Sequence, residues 1–308
     1  MSQKEKIYTI LKEADDVLSG EKISSMLGIS RVSVWKHVKG MVQANIPIVS
    51  SPQGYRLIPD PDSLLSWEFG VWQDRIHLFQ ELSSTMDEAT SLARQGCPDF
   101  SAVVAERQTQ GRGRMQRVWA SDEGGLYFSV IVRPDVPIML ASLVNLAAAV
   151  EMTDLLRSNY HVQATLKWPN DILVNDLKIC GVLSQMDTDG DQIGNIRIGV
   201  GLNVNNDPEQ EEYAAVSLQR LVGRQVPRRE ILITFLSRFE QRLMNFEPQT
   251  LLDDWKANNA TIGRHVRVST LKKTIEGRAI DIDSHGGLIL QMADGRHETA
   301  IHGDCFHN

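Results

Sequence analysis

From Gln3 to Lys12 the apolar positions Ile7, Ile10 and Leu11, with Tyr8 beside them, fall at helical spacing and predict a first helix. Ser19-Gly20-Glu21-Lys22 opens a second short segment, Ile23 to Leu27, and Gly28 suits the left-handed position just past a helix. Ser30 then predicts an N-cap, with Val34, Val38, Met41 and Val42 recurring every three or four residues behind it. Two helices joined by a glycine turn predict a helix-turn-helix. The alternating run from Ile46 to Leu57, broken at Pro52-Gln53-Gly54, predicts a hairpin in the position of a wing. Leu57 to Asp62, with Pro59 and Pro61, is the expected linker.

Beyond the linker, strands and helices mix. Ser83-Ser84-Thr85-Met86-Asp87-Glu88 predicts a helix start, hydroxyls at the cap and acids in the first turn. Ser101 to Glu106 and Leu126 to Val132 predict strands, and Ile138 to Leu156 a buried helix. A further strand ends at Lys167, and Leu177 to Leu183 and Ile196 to Val204 predict two more, with glycines where something lies close. Residues 261–308 alternate as short strands between glycine turns, which predicts a small β-barrel. The fold class is α+β, with domains expected at 1–60, 66–258 and 261–308.

At 308 residues the chain has room for two or three domains. Its 42% hydrophobic and 23% charged residues exclude disordered, collagenous and coiled-coil classes. Ile138 to Met152 is interrupted by Ser142 and Asn145 and falls short of the ~20 apolar residues of a membrane span. With no signal-peptide pattern at the start, a cytoplasmic chain without membrane contact is expected. Cys97, Cys180 and Cys305 are odd in number and widely spaced, so reduced thiols are expected. The net charge of −7 is uneven: residues 1–60 carry eight Lys/Arg against six Asp/Glu, and the remainder is acidic. A basic end on an acidic body points to a polyanion held at that end. In the second helix of the pair, Ser30, Arg31, Ser33, Trp35, Lys36 and Lys39 are the expected DNA-binding residues, arginine and lysine for phosphates or guanine edges, serine for phosphate oxygens.

The strand at 101 runs into Gln108-Thr109-Gln110-Gly111-Arg112-Gly113-Arg114-Met115-Gln116-Arg117-Val118-Trp119. Glycines admit a ligand close to the backbone, and three arginines set positive charge beside it, which suits a phosphate or a carboxylate. The spacing is that of neither common glycine-rich nucleotide loop. Lys167-Trp168-Pro169-Asn170-Asp171 places a lysine at a strand end, held by a rigid turn.

Together, Ser84-Thr85, Gln108 with Gly111-Arg112-Gly113-Arg114, Lys167-Trp168-Pro169-Asn170-Asp171, Lys178-Ile179-Cys180-Gly181-Val182-Leu183 and Gly199-Val200-Gly201-Leu202-Asn203 closely resemble the biotin protein ligases. With the winged helix in front, the resemblance is to their bifunctional ligase–repressor members and covers nearly the whole chain. It implies a central mixed α/β ligase domain, similar to the class II synthetase-like biotin/lipoate ligases, and a C-terminal Src homology 3-like barrel. It also implies an ATP-dependent, AMP-forming ligase that makes biotinoyl-5′-AMP and passes biotin to a lysine of a biotin carboxyl carrier protein of acetyl-CoA carboxylase. Operator DNA is the other implied partner, bound by an adenylate-promoted homodimer that represses biotin synthesis. ATP, biotin and Mg²⁺ follow as ligands.

By motif, Ser84, Thr85, Met86, Gln108, Arg112, Gly113, Arg114, Lys167 and Gly181 fall to biotin, and Gly111, Arg112, Arg114, Arg117, Trp119, Lys167 and Asn203 to ATP or the adenylate. Lys167, Arg112 and Arg114 are the expected catalytic residues, Lys167 bridging carboxylate and phosphate. Metal ligands are left open; Asp171 is either a helper or structural. His77, His161 and His265 are expected to be structural, and Asn205 to Glu212 a mobile cover. Met86, Met115-Gln116, Cys180 and the tail from Gly303 to Asn308 depart from the family pattern. The alternatives are a biotin-sensing regulator without ligase activity, and a ligase for lipoate or octanoate.

Overall fold

A computed structural model describes residues 1–14, 16–44, 46–208, 214–270 and 273–307, without the side chain of Gln116. The chain forms two compact units, Met1–Gly70 and Val71–Asn308. In the first, helices α1 (Gln3–Ala14), α2 (Gly20–Leu27) and α3 (Arg31–Val42) precede an antiparallel hairpin, β1 (Ile48–Ser51) and β2 (Gly54–Leu57). Ser19 and Ser30 cap α2 and α3, accepting from the Lys22 and Ser33 N–H groups at 3.1 Å each, and Gly28 takes the left-handed φ of 64°. Each cap satisfies a donor that the helix leaves orphaned. Ile7, Leu11, Ile23, Val34, Val38 and Met41 close one core with Ile48 and Leu57 from the hairpin. Residues beyond the expected linker pack back on α1: the Glu68 carboxylate accepts from the Tyr8 hydroxyl at 3.2 Å and from Lys12 at 2.7 Å.

The second unit is built on a seven-stranded mixed sheet. Its elements are β3 (Ile76–Leu82), α4 (Thr85–Arg94), β4 (Ser101–Gln108), β5 (Leu126–Val132), α5 (Ala141–Tyr160), β6 (Ala164–Lys167), β7 (Asp171–Val174), β8 (Leu177–Asp189) and β9 (Gln192–Leu202). The strand order is β3-β4-β5-β9-β8-β7-β6, with only β3 and β4 parallel. Helices α6 (Leu218–Val222), α7 (Arg228–Met244) and α8 (Pro248–Ala257) follow, then β10 (His265–Ser269), β11 (Thr274–Ile282), β12 (Leu288–Gln291), β13 (His297–Ala300) and β14 (Asp304–His307). These last five make an antiparallel sheet in the order β13-β12-β11-β10-β14, bulged between Ala279 and Asp281, where a small barrel was expected.

Helix α5 carries the apolar run and buries Leu143, Val144, Leu146, Val150, Met152, Leu155 and Leu156 inside this unit. Among the described residues Ile138–Tyr160 is the one helical stretch long and apolar enough to cross a membrane, and 61% of its apolar 18-residue window is buried within the fold. A left-handed His161 (φ 57°) ends it, a structural use of that histidine. Phe128 of β5 meets Phe235 of α7 edge-on at 5.3 Å, and Phe235 stacks on Phe239 at 5.4 Å. Burying each such ring contributes roughly 1.5–3 kcal/mol. Trp168, followed by a cis bond to Pro169, donates from its indole to the Gly286 carbonyl at 2.9 Å and from its backbone to Thr261 at 3.0 Å, tying the large sheet to the small one.

Candidate active site

One cavity of about 370 Å³ opens beside the centre of the large sheet, and its two ends differ in chemistry. At the neutral end, Ser84 caps α4, and the Gln108 amide oxygen at the end of β4 accepts from the Thr85 N–H at 2.8 Å and the Thr85 hydroxyl at 3.1 Å. Ser129 on β5, fully buried, donates to the Thr85 hydroxyl at 2.8 Å. Gly199 lies opposite Ser129 in register, and a side chain there would meet the Met86 sulfur at 2.9 Å. The result is an uncharged end lined by hydroxyl, amide and thioether groups.

The Gly-Arg loop closes the other end. Its neck is stapled by backbone bonds from Trp119 to the Gly111 carbonyl at 2.9 Å and from Gln108 to the Ser121 carbonyl at 3.1 Å. Inside it, Arg112 pairs with Asp87 of α4 at 2.8 Å. Arg114 donates to the Gly303 carbonyl at 3.0 Å and reaches the Asn170 amide at 3.5 Å. Arg117 pairs with Asp304 of β14 at 2.6 Å. Burial holds the Arg114 guanidinium below its ordinary value, Asp304 and Asp171 acting in the opposite sense; the group stays charged. Met115, at the tip, takes a left-handed φ of 51°, unusual outside glycine.

A bulge brings Lys178 to the cavity. Asp171 and Ile172 of β7 face Gly181 and Cys180 of β8, but the register slips by one residue so that Leu173 faces Lys178. The extra residue, Ile179, brings Lys178 onto the same sheet face as Gly181. Lys178 pairs with Asp171 at 2.7 Å and stands 5.0 Å above the Trp119 ring. That indole lies on Gly181 and Gly201, paired in register on β8 and β9, where a side chain would meet the ring at 2.9 Å and 2.4 Å. Among the described residues the buried indole N–H of Trp119 has no hydrogen-bond partner. Asn206 donates to the Asn203 amide oxygen at 3.0 Å, completing the rim.

The cavity therefore gathers Ser84, Thr85, Met86, Gln108, Arg112, Gly113, Arg114, Arg117, Trp119, Gly181 and Asn203 from the residues expected on sequence. Gly111 sits at the loop neck, behind the wall. Lys167 does not line the cavity: on the edge strand β6 it lies near His307 and Cys305 of β14, where its charge acts on both. Burial raises the Cys305 thiol to about 12 and pushes the buried Cys180 thiol higher still. All three cysteines are free. His77, His161 and His265 stand outside the cavity, which adds Asp122, Asp171, Lys178, Gly199, Gly201, Asn206 and Asp304 to the expected set. Of the expected cover, Asn206 and Pro208 line the cavity, while residues 209–212 lie outside the described residues.

In the first unit, Arg31, Trp35, Lys36 and Lys39 are exposed on α3; Ser33 is half-buried and Ser30 is engaged as the cap.

A winged helix-turn-helix unit and a body with a hydroxyl-lined, arginine-gated cavity define an acid-activating ligase with a nucleic-acid-reading appendage. Residues 3–56 match a helix-turn-helix domain, 78–203 the biotin/lipoate A/B protein ligase family and 261–308 the biotin protein ligase C-terminal domain. The chain is 36% identical to the bifunctional ligase/repressor BirA of Bacillus subtilis, over 95% of both chains. It is 33% identical to the biotin--[acetyl-CoA-carboxylase] ligase of Mycobacterium tuberculosis, over 76% of this chain and 89% of that one. The biotin protein ligase of Aquifex aeolicus, solved with biotin and ATP, superimposes with a TM-score of 0.65 at 26% identity, over 76% of this chain and 98% of that one. The chain belongs to the biotin protein ligase family, in its bifunctional ligase/repressor branch.

Proposed function

We propose that this chain joins biotin to ATP as biotinoyl-5′-AMP with release of pyrophosphate, transfers the biotinoyl group to a lysine of a biotin carboxyl carrier protein, and represses transcription with its winged helix. The observation that carries this reading is the joining, in one cavity, of a neutral hydrogen-bonding end at Thr85, Gln108 and Ser129 to a cationic end at Arg114, Arg117 and Lys178. The neutral end suits the fused ring of biotin. The cationic end suits its carboxylate and the α-phosphate it attacks.

In the first step a carboxylate oxygen bonds to the α-phosphorus and the bond to pyrophosphate breaks. In the second the acceptor amine attacks the acyl carbon, AMP leaves and the amine loses a proton. Neither step needs a nucleophile from the enzyme, whose part is positioning and charge stabilisation. Lys178 is our choice for the group between carboxylate and phosphate: it is a cation in the cavity wall, oriented by Asp171. Arg112 and Arg114 hold the phosphate side, and Trp119 with Asn203 the adenine side.

Among the described residues the wall carboxylates Asp122, Asp171 and Asp304 do not form a metal cage, and two of them are in ion pairs. Mg²⁺ fits this donor set when it enters with ATP, held by phosphate oxygens and water with Asp122 as the one carboxylate outside those pairs. It would neutralise charge on the leaving pyrophosphate. Operator DNA and a carrier protein as partners place this work in the cytoplasm, with the adenylate favouring a homodimer that spans two half-sites.

The decisive experiment combines labelled biotin, ATP, Mg²⁺ and an isolated carboxyl-carrier domain, followed by a mobility shift with the same preparation. ATP-dependent labelling of the carrier, and a shift strengthened by biotin with ATP, is the expected result. Labelling that never exceeds the ATP-free control would reduce the chain to a biotin-sensing regulator.

A further inference from the structure

Helix α3 has two dissimilar faces. Val34, Val38 and Met41 pack into the core of the first unit. On the opposite side Trp35 and Lys36 lie three and four residues beyond Val32, and Lys39 lies four beyond Trp35 and three beyond Lys36, so they share a stripe. Val32 is 62% exposed and Trp35 50% exposed. The ammonium of Lys39 sits 5.0 Å from the centre of the Trp35 ring.

A large apolar pair on the outer face of a twelve-residue helix leaves apolar area in water unless something covers it. The surroundings specify the cover. Arg31, Lys36 and Lys39 are exposed on the same helix, Arg56 is exposed on the wing, and α3 contains no acidic residue. Charge complementarity selects a polyanion with an apolar group on its readable surface. In double-stranded DNA that group is the C5 methyl of thymine, displayed only in the major groove, which is wide enough to admit a helix.

We propose that Trp35, with Val32 beside it, reads the C5 methyl of one thymine in each operator half-site, and that Lys39 is held against the indole so that its charge falls on the neighbouring backbone phosphate. This rests on the repressor reading above and narrows it from DNA in general to a methyl-bearing base at one position. The indole contributes contact area and no hydrogen bond to the base. The cation–π contact keeps the lysine aligned before DNA arrives, so less side-chain freedom is lost on binding.

The test uses the full chain with biotin and ATP. Duplexes are first enriched from a random-sequence library, and each thymine of the enriched site is then replaced singly by deoxyuridine, which removes only the methyl. For the wild-type chain, binding is expected to weaken about fourfold at one thymine per half-site, the worth of one buried methyl. In Trp35→Ala that penalty falls to within about 1.5-fold of unity, in Trp35→Leu part of it returns, and Lys39→Ala weakens all duplexes alike while keeping it. An equal deoxyuridine penalty in wild type and Trp35→Ala, or no sensitive thymine at all, overturns the assignment to Trp35. A Trp35→Ala change that alters self-association in sedimentation and leaves the uracil penalty intact overturns it in favour of a second copy as the cover. Failure to enrich any duplex removes the repressor reading itself, a separate outcome.

Discussion

Lys167 and Lys178 stand 11 residues apart, and the bulge at Ile179 carries Lys178 to the cavity wall. Lys167 sits beside the rigid Trp-Pro turn and was expected to bridge carboxylate and phosphate, whereas Lys178 opens one of the family-like motifs and was given no role of its own. Strict alternation along β8 would set Lys178 and Gly181 on opposite faces; the bulge at Ile179 places them together. A bulge leaves no residue signature here, which is why this part of the site was not legible. The glycines were legible: Gly181 and Gly201 were expected to admit something close, and the structure supplies the Trp119 ring. We expect Lys178→Ala to slow biotin-dependent pyrophosphate release by about 10²-fold or more, the scale for losing one preorganised charge, and Lys167→Ala to slow it far less. Equal losses in the same assay would return Lys167 to the reacting atoms. Gly201→Ala should force the indole off the sheet at an overpacking cost of about 1–3 kcal/mol. Tryptophan emission shifted to the red, with at least about tenfold weaker nucleotide binding, is the expected signature.

At the level of elements, strands and helices were readable wherever one face is buried. The strand Leu126–Val132 was expected in those bounds, and Ser30 caps α3 as its hydroxyl suggested. The long hairpin of β8 and β9 outruns its sequence prediction because its outer part is mostly polar, with Gln185 to Asp189 pairing against Gln192 to Arg197. Strand β14 carries a pH dependence of its own. Burial, with Lys167 and Arg264 nearby, depresses His307 from 6.5 to about 4, and its ring nitrogen lies 3.2 Å from the Thr261 hydroxyl. A basic group whose folded value is depressed leaves the unfolded chain binding the extra proton. Stability from keeping it neutral is therefore complete above about 6.5, lost as pH falls from there towards 4, and flat below. The thermal midpoint should drop across that window, with the fall blunted in His307→Asn. An identical pH profile for the variant would remove His307 from the account.

For the whole molecule, sequence patterning gave the order of reader, catalytic body and β-rich end, while the two compact units and the return of residues 61–70 onto α1 depend on distant contacts such as Glu68 with Lys12. Each unit has its own core, and the Aquifex aeolicus ligase is covered over 98% of its length by 76% of this chain. Removing residues 1–70 should therefore leave biotin transfer to the carrier domain within about threefold of the full chain, while the DNA shift disappears. Loss of both activities in a folded fragment would refute independence of the two functions. The latch on the Gly-Arg loop has a further consequence. Arg114 and Arg117 close on Gly303 and Asp304, residues translated long after the loop itself and longer still after the reader. On the ribosome, then, the DNA-reading unit is finished first and the ligand loop is latched last. A message cut short before codon 303 yields a chain with a complete reading head and a catalytic loop that has lost both of its fastenings.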